Sequence, residues 1–544
     1  MTALDAFFES YYRLRPVNAT FTGVHDYDDR LPDWSPDGLA AAADEMKALR
    51  RSLGPEPGDA AALQDVAARD RALAISFLDV QIAEIDSLHF QRGNPSLALG
   101  EAVFGIVSLI TRPFAPAADR ARSVAARLDA WPAFLSGARQ SIAHGVPAEW
   151  RAKCLRECDG ADRLLGEGLP KWIAAEAPDA RIVATACERA RGALDGFRRW
   201  LTDEVPAADG RRHSIGPALF DLFLERGHHC RTNTASLGPA AREAFDDAMA
   251  VLERRARALA PGGWSEVQAR LADAHPTTGG YLAAYQTIWD ACRRAASDAD
   301  LVSWPDYPIR YVPIPAHTRE AAPFLYYLFY RSPAPYDRLP VHDYVVTPID
   351  GDLPRDEQDR RLRATNTSVI KLNHVVHHGA IGHHVQNYYA YRGASEIGRV
   401  AAVDCASRIG MFLGGTMAEG WACYATDLMD EVGFLTADES LAQQHTRARL
   451  LARAVVDIGL HTGSMTFDDA VAFYRDRVGM SPDAARGEAC KNSMFPATAI
   501  MYWLGTDGLH RLRRKAAGGT LRAFHDRVLS FGSVPVALVE RIWP

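Results

Sequence analysis

Five of the chain's 18 histidines, His374, His377, His378, His383 and His384, fall within eleven residues of the segment NHVVHHGAIGHHVQ at 373–386, where uniform scatter would place about 0.4. Imidazole is the commonest metal-binding side chain near neutral pH, and a helix can present two of them to one ion. The alternative is a hydrogen-bonded, half-buried helix face. The familiar zinc pattern H-E-x-x-H sets its ligands four apart on one face, a spacing found here only for His374 and His378. His377 and His384 share a face two turns apart, ~10 Å along a regular helix, and could meet one ion only if the helix bulges or breaks. Gly379 and Gly382 offer that break. His377 and His383 would converge through the same distortion, and spacing does not choose between His383 and His384.

A third ligand is offered by Glu419, at the start of a helical pattern in TMAEGWACYATDLMDEVGF, 416–434. Two His on one segment and a Glu on another form a recognised zinc set, with the fourth position left to water. Taken alone, Glu419 is equally well a helix-start carboxylate favoured by the macrodipole. Asp457 and His461 are four apart on a predicted helix and are candidates for a hydrogen-bonded pair supporting the site. Arg447, Arg449 and Arg453 are candidates for an anionic substrate group, although charged helix faces are usually just solvated. Tyr311, Tyr326, Tyr327, Tyr330 and Tyr336 could wall a cleft, or simply pack in the core.

The elements that must position these groups read as amphipathic helices. Val124, Leu128, Trp131 and Leu135 recur at steps of four, three and four, and similar patterns run through the regions near 60–88, 181–203, 239–260, 440–460 and 465–478. Short Pro-rich β runs at 305–315 and 341–349 predict a small antiparallel ribbon around 308–315 and 341–349. The fold class expected is all-α.

Among 544 residues, 61 Lys and Arg face 68 Asp and Glu, a net charge of −7, which disfavours a nucleic-acid partner. The apolar stretch LALGEAVFGIVSLITRPF is interrupted by Glu101 and Gly105 and falls short of the ~20 apolar residues that cross a bilayer, so no membrane partner is expected. The amino terminus, MTALDAFFESYYRLRP, lacks the basic and apolar runs of a secretory signal, and a cytoplasmic address is the default. Eight scattered cysteines read as free buried thiols.

These residues also carry a family likeness. The chain resembles the bacterial domain-of-unknown-function family 885, itself similar to all-helical carboxypeptidases of the gluzincin type. The family pattern HExxPGHHxQ corresponds to HHGAIGHHVQ at 377–386, EGWAxYxE to EGWACYAT at 419–426, and Tyr-PGQALSYKIG to NSMFPATAIMYWLG at 492–505. The likeness extends through RPVNATFTGVHDYDDRLPDWS at 15–35, LVSWPDYPIRYVPIP at 301–315 and VVDIGLHTGSMTFDDAVAFY at 455–474, and so implies a single helical metallopeptidase-like domain over 1–544.

The resemblance implies that His377, His383 and Glu419 hold one divalent metal ion, zinc before others. The chain departs from the pattern where hydrolysis is carried out. His378 stands where the general-base Glu belongs, Ile381 replaces the motif Pro, and the motif's Tyr, Gln and Lys correspond to Asn492, Thr498 and Trp503. Imidazole can act as a base near neutral pH, so His378 either takes over that role or becomes a further ligand. The expected function is a metal-dependent hydrolase acting on a peptide or small amide through a metal-bound water. In it, His378, Asp457 and His461 are the catalytic candidates, and Arg449 and Tyr502 the substrate-binding ones. A metalloenzyme of altered chemistry and a non-catalytic binding relative are the alternatives.

Overall fold

The computed structural model describes residues 2–177, 181–208, 210–319, 321, 333–337, 339–403, 407–516 and 518–543. Helices dominate, as the apolar stripes require. The helix Ala117–Ser141 buries Val124, Leu128, Trp131 and Leu135 along one side. Among the described residues there is one sheet, of two strands, β1 (Ile309–Pro313) and β2 (His342–Val346). Its strands run parallel, paired from Ile309 with His342 to Pro313 with Val346, which corrects the expected antiparallel ribbon. An antiparallel hairpin closes through a few turn residues, whereas the long 314–341 connection returns the chain to the end from which it left.

The helices that build the sites are labelled here in chain order: α1 (Pro95–Ile110), α2 (Tyr281–Asp298), α3 (Ile370–Gly379), α4 (His383–Ala390), α5 (Gly415–Glu431), α6 (Ala437–Thr462), α7 (Pro482–Met494) and α8 (Met501–Lys515). Two large apolar cores divide them. One includes residues of α1 and α6, such as Ile106, Leu451 and Val455, and the other those of α2, α3 and α5, such as Tyr285, Val375 and Leu428.

Local sequence fixes the ends of α6. At its start the Thr436 hydroxyl accepts from the Glu439 amide at 3.3 Å while the Glu439 carboxylate accepts from the Thr436 amide at 2.8 Å. Gly463, at φ 76°, ends it in the left-handed conformation that glycine adopts without strain. Lys371 of α3 donates to Glu439 at 2.7 Å, tying the histidine-bearing helix to the start of α6. Helices α5 and α8 approach through facing glycines: a Cβ on Gly420 would stand 2.5 Å from the Gly505 backbone, and one on Gly505 only 2.0 Å from the Thr416 carbonyl oxygen. No larger residue fits there, and the contact brings α8 against the helix that carries Glu419.

Candidate metal centre

Helix α3 is wound wide, with i to i+5 hydrogen bonding that ends in a bond from the Ala380 amide to the Val375 carbonyl at 2.8 Å. Wide turns of this kind concentrate at functional sites. The chain then breaks over Ala380–Gly382, where the Gly382 amide reaches back to the Val376 carbonyl at 2.9 Å. A Cβ on Gly382 would lie 1.9 Å from the His377 carbonyl oxygen, so the return is possible only for glycine. Two indoles satisfy carbonyls that the break frees: Trp289 of α2 donates to Gly379 and Trp421 of α5 to Ile381, each at 2.8 Å.

This local path brings His377 and His383 together, with ring centroids 4.9 Å apart. Their Nε2 atoms stand 3.3 and 3.4 Å from the same oxygen, Oε2 of Glu419. His384 turns the other way, donating from Nε2 to the Tyr307 carbonyl at 2.8 Å and stacking on the Tyr307 ring. The structure thus places His383, not His384, beside Glu419. His374 also points elsewhere and shares a 2.6 Å hydrogen bond with the Tyr344 hydroxyl. His378 remains at the cluster: one ring nitrogen from each of His377, His378 and His383 lies within 4.8 Å of the others, and His378 donates from Nδ1 to the Asn373 carbonyl at 2.6 Å.

Glu419 is 7% exposed. Its Oε1 accepts from the Tyr502 hydroxyl at 3.2 Å, whereas its Oε2, though flanked by two imidazoles, accepts no hydrogen bond. Burial opposes its charge, yet the neighbouring His383 and His377 hold its carboxyl well below the usual carboxylate range. Burial pushes the His377 and His378 imidazoles below their ordinary values, so both rings are neutral at pH 7 with a lone pair to offer. Imidazole nitrogens and an ionised carboxylate oxygen facing one point are the donor set a divalent ion of the zinc type requires.

The cluster opens into a cavity of about 720 Å³, which Arg449 and Tyr502 also line. The three candidate arginines behave differently. Arg453 is held by Glu488 through bonds of 2.7 and 2.6 Å, and Arg447 leans toward Asp427 at 3.6 Å. Arg449 keeps a buried Nε without a hydrogen bond.

Asp457 and His461 do not line the cavity. The hydrogen bond expected between them is not made: they stand 3.7 Å apart, and His461 donates to the Asn492 carbonyl at 2.9 Å instead. The buried Asp457 carboxylate accepts from the amides of Ala497 and Ile500 at 3.1 and 3.3 Å, fixing the turn that enters α8 two residues before Tyr502. Asp457 thereby holds the backbone from which Tyr502 projects. Of the aromatic candidates, Tyr311 and Tyr336 do not line the cavity, and Tyr326, Tyr327 and Tyr330 lie outside the described residues. Sequence reasoning missed the two indole clamps, although Trp421 sits inside the quoted EGWA pattern.

No described helix is long and apolar enough to cross a membrane. Among curated protein sequences no match is found. Two solved structures share the fold over nearly their whole length. One, described as "a putative lipoprotein of unknown function" from Shewanella oneidensis, has a TM-score of 0.77 at 21% identity, covering 99% of this chain and 98% of that one. The other, described as "the putative lipoprotein" from Colwellia psychrerythraea, has a TM-score of 0.76 at 15% identity with the same coverage. At these identities the likeness establishes the fold alone. The sequence profile of one family spans residues 16–542, and the chain belongs to that family, the bacterial proteins of unknown function called DUF885.

Proposed function

We propose that the chain is a metal-dependent hydrolase resembling a metallopeptidase, acting on a peptide or small amide with an anionic end, as one catalytic unit to which both apolar cores contribute. The observation that carries this reading is the convergence of His377 and His383 on an oxygen of Glu419 that accepts no hydrogen bond, at the wall of a cavity large enough for a peptide fragment. His377, His383 and Glu419 would hold the ion, zinc before others. A divalent ion there would polarise an amide carbonyl and make water a stronger acid. Tyr502 orients Glu419, and Asp457 positions Tyr502. Arg449 supplies the cation for a substrate carboxylate.

A second reading, a metalloenzyme of altered chemistry, is favoured by His378. Its Nδ1–H is held by a backbone carbonyl, as in metal-ligating histidines, and it clusters with His377 and His383. As a ligand it would make a set of three imidazoles and one carboxylate, which suits metals other than zinc. As a base it would serve hydrolysis.

The test is metal content by mass spectrometry after zinc loading, together with turnover of a peptide library. The expected result is about one equivalent of metal, lost in His377→Ala while most helical content by circular dichroism remains. Absence of metal binding in the wild type rejects both metalloenzyme readings, and metal without turnover of any peptide rejects the peptidase. The cytoplasmic address expected from the amino-terminal residues finds no support in the comparisons. The lipoprotein descriptions of the two neighbours make the cell envelope the address to test by fractionation.

A further inference from the structure

We propose that a second cavity, walled on one side by α1, binds an apolar compound carrying an ammonium group, with Glu101 as its ion-pair partner. The cavity encloses about 400 Å³, within the range of small-ligand pockets. Leu31, Trp34, Leu97 and Phe104 supply apolar walls. On α1, Leu97, Glu101 and Phe104 follow at steps of four and three, so one helix face presents an apolar side chain on either side of a carboxylate. Glu101 is the only charged residue of that helix.

Most of the other charged groups lining this cavity have partners within the protein, although one buried oxygen of Glu157 accepts no hydrogen bond. Arg408 pairs with Glu84, Arg13 with Glu45 and Lys153 with Glu157, and Arg15 donates to Gln81. Half-buried Glu101 makes no hydrogen bond and no ion pair among the described residues. The guanidinium of Arg127 contributes favourable charge at a distance, but its donors are spent on the carbonyls of Arg30 at 3.0 Å, Gly105 at 2.7 Å and Pro16 at 3.2 Å, and on the Ser108 hydroxyl at 3.0 Å. Burial pushes the Glu101 carboxyl up to about 7, against the favourable charges of Arg127 and of Arg15 in the same cavity.

Among the described residues, Glu101 belongs to no group of three or more His, Cys or carboxylate side chains that could hold a metal ion. An ammonium group offers three donors and a charge, and the apolar walls take the body attached to it. Met411 lines this cavity and the one at the histidine cluster, so the two are neighbours. The inference does not depend on the metal reading.

The experiment is calorimetric titration of the whole chain at pH 8 with 2-phenylethylamine and with 2-phenylethanol, which match in shape and differ in charge. The amine is expected to bind roughly tenfold or more tightly than the alcohol, the size of one charge-assisted hydrogen bond. Glu101→Gln removes that preference. Gly100→Leu, whose side chain grows from a helix position with only Phe104 within 4.0 Å of a Cβ, fills the cavity and abolishes binding of both. A peptide with a free amino-terminal Phe, set against its acetylated form, tells a peptide terminus from a free amine. No binding of either amine source, equal affinity for amine and alcohol, or binding indifferent to both substitutions overturns the proposal.

Discussion

The indole of Trp421 donates to the Ile381 carbonyl across 2.8 Å. Trp421 lies two residues beyond Glu419 on α5, and Ile381 lies inside the break between His377 and His383. One hydrogen bond therefore ties the helix that carries the carboxylate to the chain reversal that aligns the imidazoles. The geometry of the cluster depends on that tie and on the glycine beside it.

Trp421→Phe strands the Ile381 carbonyl in a fully buried place, at a cost of about 1–3 kcal/mol, and is expected to weaken zinc binding along with denaturant stability. Gly382→Ala forces a methyl group against the His377 carbonyl oxygen and is expected to do more damage to metal affinity than to helical content. Isothermal titration with zinc checks both, and wild-type affinity in Gly382→Ala contradicts the role given to the break.

His378 separates the two metalloenzyme readings. If it is the base, His378→Glu keeps or raises amide hydrolysis and leaves metal preference unchanged, because a carboxylate also serves as base. If it is a ligand, absorption spectra of the cobalt-loaded protein change with His378→Ala, and preference moves toward ions that accept oxygen when Glu is introduced. Substitutions silent in turnover and spectra alike remove both roles.

Arg449 is expected to select for a carboxylate on the substrate. Arg449→Met should raise KM for a peptide with a free carboxyl terminus by about tenfold to a hundredfold, the scale of a charged hydrogen bond, and leave its amidated form nearly unaffected. Kinetics with the matched pair of peptides decide it. An equal loss for both peptides assigns Arg449 to packing.

His25 predicts a pH dependence away from the cluster. Its ring is bonded at 2.8 Å to Asp28 and at 2.8 Å to Asp337, and although burial opposes the charge, these two carboxylates raise its pKa to about 9. A value raised on folding stabilises fully below the unfolded value of ~6.5 and is lost as pH rises through about 9. The contribution is about 1–2 kcal/mol once partial exposure is allowed for. Urea denaturation of the wild type should lose stability between pH 6.5 and 9, and His25→Gln should flatten that segment of the profile.

The helical class was legible from the sequence because stripes such as Val124, Leu128, Trp131 and Leu135 repeat at the helical period, and burial of one face is a local consequence of that period. The histidine cluster, Glu419 and the need for a break at Gly379 and Gly382 were legible for the same reason: residue type and spacing are local. Tertiary structure decided the rest. Spacing could not choose between His383 and His384, since the choice depends on which way α4 turns after the break, and that is set by Trp289, Trp421 and the Tyr307 carbonyl, all far away in sequence. It could not give the direction of the β ribbon, which follows from where the long 314–341 connection returns. Nor could it tell that Asp457 grips the entry to α8 rather than His461, because an aspartate and a histidine four apart on a helix are also free to bond partners from elsewhere, and here both do.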